Sequence, residues 1–100
     1  MVMKALCIVY ERVDDEAEFD RYRQIVMPTL EPFGARFLVR GGAFTVVEGD
    51  MPFTQIAVLE FPSREAAEAW YHSDAYQAVL PVRLAAAQCQ FVIVDAADYA

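Results

Sequence analysis

The chain has 100 residues, 57% of them hydrophobic and 23% charged, with only 4 Gly and 5 Pro. That length suits a single domain over 1–100 with one core, and the composition excludes a disordered or low-complexity chain. The net charge of −7 repels phosphate backbones and anionic bilayers, so neither nucleic acid nor a membrane surface is an expected partner.

The first apolar run, residues 3–10, holds Leu6, Ile8, Val9 and Tyr10. It reads as a buried strand rather than a signal peptide, because Glu11 and Arg12 end it at once. Asp14 or Asp15 then caps a helix, and Asp15 with Glu18 has the spacing of a capping box. Phe19, Tyr22 and Val26 form its apolar stripe, and Pro28 is expected to end or kink it.

Arg36–Arg40 is the next strand. Beyond it, Gly41-Gly42 either separates a further strand over Ala43–Val47 or, the favoured reading, marks a bulge in one long strand that continues through Ala43–Val47 before a turn at 48–52. Thr54–Phe61 is a strong strand. Ser63 caps a second helix, Ser73-Asp74 caps a third, and Pro81 suits the first position of a further helical turn. The last strand covers 90–94, and 96–100 forms a loose tail.

The order strand, helix, strand, strand, helix, strand is the α+β, ferredoxin-like βαββαβ pattern. Right-handed crossovers place both helical segments on one face of a four-stranded antiparallel sheet. The strands are apolar at both alternation sets: Ala5, Cys7 and Val9 on one face, Leu6, Ile8 and Tyr10 on the other. Strands of that kind are buried on both faces, so the face without helices is expected to meet a second copy of the chain.

Several stretches resemble one family. Phe33–Gly42, the Val47–Asp50 turn, Glu60–Ser63, Ala66-Ala67 and Trp70–Gln77 together resemble the family called domain of unknown function 1330. Arg83 falls where that family places an Arg. The resemblance runs nearly the whole chain. It implies a dimeric α+β barrel of ferredoxin-like subunits, a fold shared by small monooxygenases, lactone isomerases and plain ligand-binding proteins. Two positions depart from the family: Ala35 replaces its second Gly, and Gln55 stands where a basic residue often precedes the third strand.

The candidate ligand-binding residues are Tyr22, Arg40, Glu60, Trp70, Tyr71, Tyr76 and Arg83. Arg40 and Glu60 end apolar strand stretches and are expected to face each other, either as a salt bridge or as an anion-binding and acid–base pair. Trp70 or Tyr71 is expected to wall a cleft beside Tyr22, a surface suited to a planar ligand. Arg83 suits either an exposed or interface ion pair or a carboxylate site.

His72, the one histidine, has no companions that would make a triad or a metal site. Cys7 and Cys89 are expected to be reduced and unbonded, which suits the cytoplasm. No cofactor motif is present, and Gly41-Gly42 lacks the context of a phosphate loop. Two functional classes fit these residues. One is a protein holding a small organic molecule in a helix–sheet cleft; the other is a cofactor-independent isomerase or monooxygenase.

Overall fold

In β1 (Ala5–Val13), residues 5, 7, 9 and 11 are buried. That period of two gives one face to the core. The computed structural model describes residues 3–97. The other elements are α1 (Glu16–Leu30), a short 3₁₀ turn (Glu31–Phe33), β2 (Arg36–Arg40), β3 (Gln55–Phe61), α2 (Arg64–Tyr71), α3 (Asp74–Ala86) and β4 (Ala87–Asp95). The sheet is four-stranded, in the order β2-β3-β1-β4 with every pair antiparallel. The expected α+β, ferredoxin-like topology is therefore the one observed.

Local chemistry sets the helix starts. Asp15, Ser63 and Ser73 each accept a backbone N–H from the residue three positions on, as expected from their types. The core joins Cys7, Val9, Ala57, Leu59 and Phe61 of the sheet to Phe19, Tyr22, Val26, Leu30, Trp70, Tyr76 and Leu80 of the helices. All three helices thus lie on one sheet face. The opposite face carries Leu6, Ile8, Tyr10, Ile56 and Val58, with Val92 and Val94 48% and 43% exposed.

Several boundaries differ from expectation. Both prolines sit inside helices: α1 runs two residues past Pro28, and α3 is continuous through Pro81. Each helix is held by apolar residues on either side of its proline, Val26 and Leu30 in α1, Leu80 and Ala86 in α3. Packing of that stripe outweighs the one backbone hydrogen bond a proline removes. Strands β1 and β4 are longer than expected because they pair with each other from Ala5↔Asp95 to Val13↔Ala87. Of the expected tail, Ala96 donates its N–H to the Lys4 carbonyl, while 98–100 lie outside the described residues.

The strand expected over Ala43–Val47 is not formed. Arg40 pairs with Ala57, and Gly41, at φ +69°, donates to the Ile56 carbonyl. Strand β3 starts at Gln55, so a continuation of β2 would run past the end of its only neighbour. With no ladder partner, an extended segment leaves its N–H and C=O groups to water. The irregularity in the pair lies earlier, between Phe37 and Val39.

Candidate functional site

Between the helices and the sheet lies a cavity of about 280 Å³. Each layer contributes to its wall. Val9, Ala57, Leu59, Phe37 and Phe91 rise from the strands, and Phe19, Tyr22, Val26 and Trp70 face them from the helices. Four charged side chains also line it: Glu11, Arg23, Arg40 and Arg83. In a chain of net charge −7 the lining holds three arginines against one glutamate. Arg23 is also paired with Asp20 and Glu16 of its own helix, so Arg40 and Arg83 carry the local reversal of sign.

The aromatic wall is built around Trp70, which is 1% exposed. Its indole N–H donates to Thr29 Oγ1 at 3.0 Å, and that hydroxyl donates to the Val26 carbonyl at 2.6 Å. The chain of donors satisfies the indole inside the core and fixes its ring. Phe61, Tyr76 and Phe91 lie with ring centroids 5.4, 4.1 and 6.2 Å away. The expectation that Trp70 walls a cleft beside Tyr22 is met. Tyr71 instead packs outside the cavity lining, 5.4 Å from both Tyr76 and Phe91.

The polar part is a buried network. Arg83, 4% exposed, donates Nε to the Tyr76 hydroxyl at 3.3 Å, and Tyr76 and Tyr22 share a hydrogen bond of 2.8 Å. Arg83 therefore corrects one expectation: it is neither exposed nor in a salt bridge among the described residues. The polar–aromatic network holds it, with its guanidinium 5.6 Å over the Phe91 ring. Tyr76 does not line the cavity but connects the two residues that do. Burial pushes the phenols of Tyr22 and Tyr76 up, so both stay protonated.

Arg40 and Glu60 do not meet. Arg40 pairs with Ala57 and lines the cavity, its guanidinium 4.9 Å over the Phe37 ring. Glu60 pairs with Leu6 and Arg36 on the opposite sheet face, bonded to Arg36 Nε at 3.0 Å and facing Lys4 at 3.5 Å. The hydrogen bond from Arg36 holds its carboxyl below the usual glutamate range. The odd number of steps between Ala57 and Glu60 puts them on opposite faces, which decides the matter.

Three polar lining residues lie outside the candidate set: Glu11, Arg23 and Gln55. Glu11 is 6% exposed, on the face that holds Cys7 and Val9, and among the described residues no salt bridge involves it. Burial raises its carboxyl from the ordinary value, while Arg23 and Arg83 pull it back down. Strand alternation carries the signal, since 5, 7, 9 and 11 share a face. Arg23 lies 4.5 Å over the Phe19 ring and donates to Gln55 Oε1 at 2.9 Å. Gln55, one of the two family departures, thus sits in the site wall. Among the described residues no group of His, Cys, Asp and Glu could hold a metal ion.

The fold and cavity define a class: a ferredoxin-like α+β subunit with a helix–sheet cavity and a second, uncovered sheet face. The family follows from the sequence itself. The chain belongs to the family described as domain of unknown function (DUF1330), whose model matches residues 4–97. No curated protein matches. Among solved structures, RPA0582 of Rhodopseudomonas palustris, a protein of unknown function, has 15% identity and a TM-score of 0.80, over 99% of this chain and 86% of that one. A dimeric ferredoxin-like protein of unknown function from Thermobifida fusca has 11% identity and a TM-score of 0.69, over 96% and 93%. SnoaB, a cofactor-independent oxygenase from Streptomyces nogalater, has 9% identity and a TM-score of 0.63, over 98% and 97%. At these identities the likeness is one of fold.

Proposed function

We propose that this chain binds a small planar organic molecule bearing an acidic or carbonyl oxygen in its helix–sheet cavity, and that it works as a cytoplasmic homodimer. One observation carries the reading: an aromatic-walled cavity of about 280 Å³ holds three arginines within an acidic chain. The volume sits near the lower end for ligand pockets, so it suits one or two fused rings rather than a nucleotide. Two free cysteines support a reducing compartment. The uncovered apolar face of the sheet supports the dimer, and the Thermobifida fusca neighbour is described as dimeric.

A second reading, a cofactor-independent small-molecule enzyme, is favoured by Glu11, a buried carboxylate in the cavity wall. Both readings require binding. Thermal melting with 1-naphthoate tests it: a ligand of the folded form raises Tm with concentration, by roughly 2.7 kcal/mol of stability at a hundred times Kd. A Tm that 1-naphthoate and 2-naphthol both leave unmoved would overturn the reading.

A further inference from the structure

We propose that Glu11 is a proton-transfer base, paired with the Tyr22 hydroxyl as hydrogen-bond donor, and that the cavity's substrates are enolisable carbonyl compounds carrying a flat ring. This rests on the binding reading and deepens it. The first ground is placement. Glu11 lines the cavity at 6% exposure, and no side chain among the described residues forms a salt bridge with it. Among the described residues no fully buried side-chain oxygen lacks a partner, so the Glu11 carboxylate is open to the cavity space, where a bound molecule can meet it.

The second ground is the direction of the hydroxyl protons. Arg83 only donates, and its Nε is bonded to the Tyr76 oxygen at 3.3 Å. Tyr76 is fully buried and its hydroxyl meets only Arg83 and Tyr22 among the described residues, so its own proton goes to the Tyr22 oxygen, 2.8 Å away. That leaves the Tyr22 proton for an acceptor, and Tyr22 lines the cavity. The series Arg83, Tyr76, Tyr22 is a row of polarised donors ending at the ligand space, as stabilisation of a forming oxyanion requires.

The step balances without an outside reagent. The Glu11 carboxylate takes a proton from the carbon beside a carbonyl. The C–H electron pair becomes the enolate C=C bond, and the carbonyl π pair moves to oxygen, which accepts from Tyr22. Glu11 then returns the proton to the same carbon, or to the distal carbon of a conjugated enolate, giving exchange or isomerisation. Arg40 and Arg83, which form no salt bridge among the described residues, favour the enolate charge, whereas Arg23 is paired with Asp20 and Glu16. The groups facing Glu11 are Tyr22 and Arg23 from α1, Gln55 from β3, Arg83 from α3 and Cys89 from β4. Burial raises the Glu11 carboxyl from its ordinary value, which makes it a stronger base than an exposed glutamate.

The test uses 2-tetralone in deuterated buffer, with exchange at its α-carbons followed by proton NMR and binding by the fluorescence of Trp70, the one tryptophan. Wild type should bind it and exchange it faster than buffer, with a rate that rises through one titration above the ordinary glutamate range and then levels. Glu11→Gln should bind it equally and lose the protein-catalysed rate by at least about 100-fold. Tyr22→Phe should slow exchange while keeping the pH profile. Wild type giving no exchange above buffer, Glu11→Gln exchanging like wild type, or a wild-type rate flat in pH would each overturn the proton-transfer role. The naphthoate melting separates the two ideas: a positive shift there leaves binding intact when exchange fails. If Glu11→Gln does not fold, the wild-type pH profile decides alone.

Discussion

Glu11 and Glu60 show how the same residue type takes opposite roles on the two faces of one sheet. Glu60 is stabilised in its charged form by Arg36 and Lys4, whereas burial disfavours the charged form of Glu11. The signs of the resulting pH dependence are opposite. For Glu11 the folded-state pKa lies above the unfolded one, so its contribution is full below the ordinary glutamate range and is lost as pH rises through the raised value. For Glu60 the contribution is full above the ordinary range and is lost as pH falls through the lowered value. Tm measured against pH should therefore decline on the alkaline side of the glutamate range in wild type, and Glu11→Gln should remove that decline. A wild-type curve with the same alkaline-side shape as Glu11→Gln would contradict the burial of this carboxyl.

The sequence conveyed the aromatic half of the site better than the charged half. Trp70 and Tyr22 stood out by type and helical spacing, and they do share the cavity wall. Glu11 did not, because a charge after an apolar run looks like the end of a strand. Pairing with Gln55 of β3 and Cys89 of β4 keeps residue 11 in the strand and turns it inward, and β4 alone carries β1 on to Val13. The burial of Arg83 was hidden for a similar reason, since the phenols that receive it come from positions 76 and 22.

At the level of elements, caps are local and were readable, while strand ends depend on a neighbour and were not. Asp15, Ser63 and Ser73 each need only the next turn of chain. The fate of 43–47 depends on where β3 begins. Gly34 is a turn of the same local kind. It ends the 3₁₀ turn after α1 at φ +70°, donating its N–H to the Glu31 carbonyl, and an added Cβ would stand 3.0 Å from Pro62 Cγ. Gly34→Ala should therefore destabilise the fold by about 1–2 kcal/mol, the cost of holding an L-residue in left-handed backbone. A Tm lowered by roughly 5–15 °C in calorimetry is the expected result for a domain of this size. An unchanged Tm would mean the turn relaxes to another conformation.

At the scale of the molecule, the order of elements was legible because each βαβ unit has few ways to close. The two-sided apolar character of the strands also survives in the structure, as one face under the helices and one open. The homodimer we propose closes that open face. A contact of this kind should bury at least about 1,600 Å² in total. Light scattering coupled to size exclusion should give twice the chain mass at micromolar concentration, and a stable monomer would contradict the arrangement.

The ligand site we propose is the helix–sheet cavity. A crystal structure with 1-naphthoate tests it most directly. The ring system should lie against Trp70 and Phe91, with the carboxylate toward the arginines that line the cavity. Density for the compound only at other surfaces, with the cavity filled by its own side chains, would contradict it.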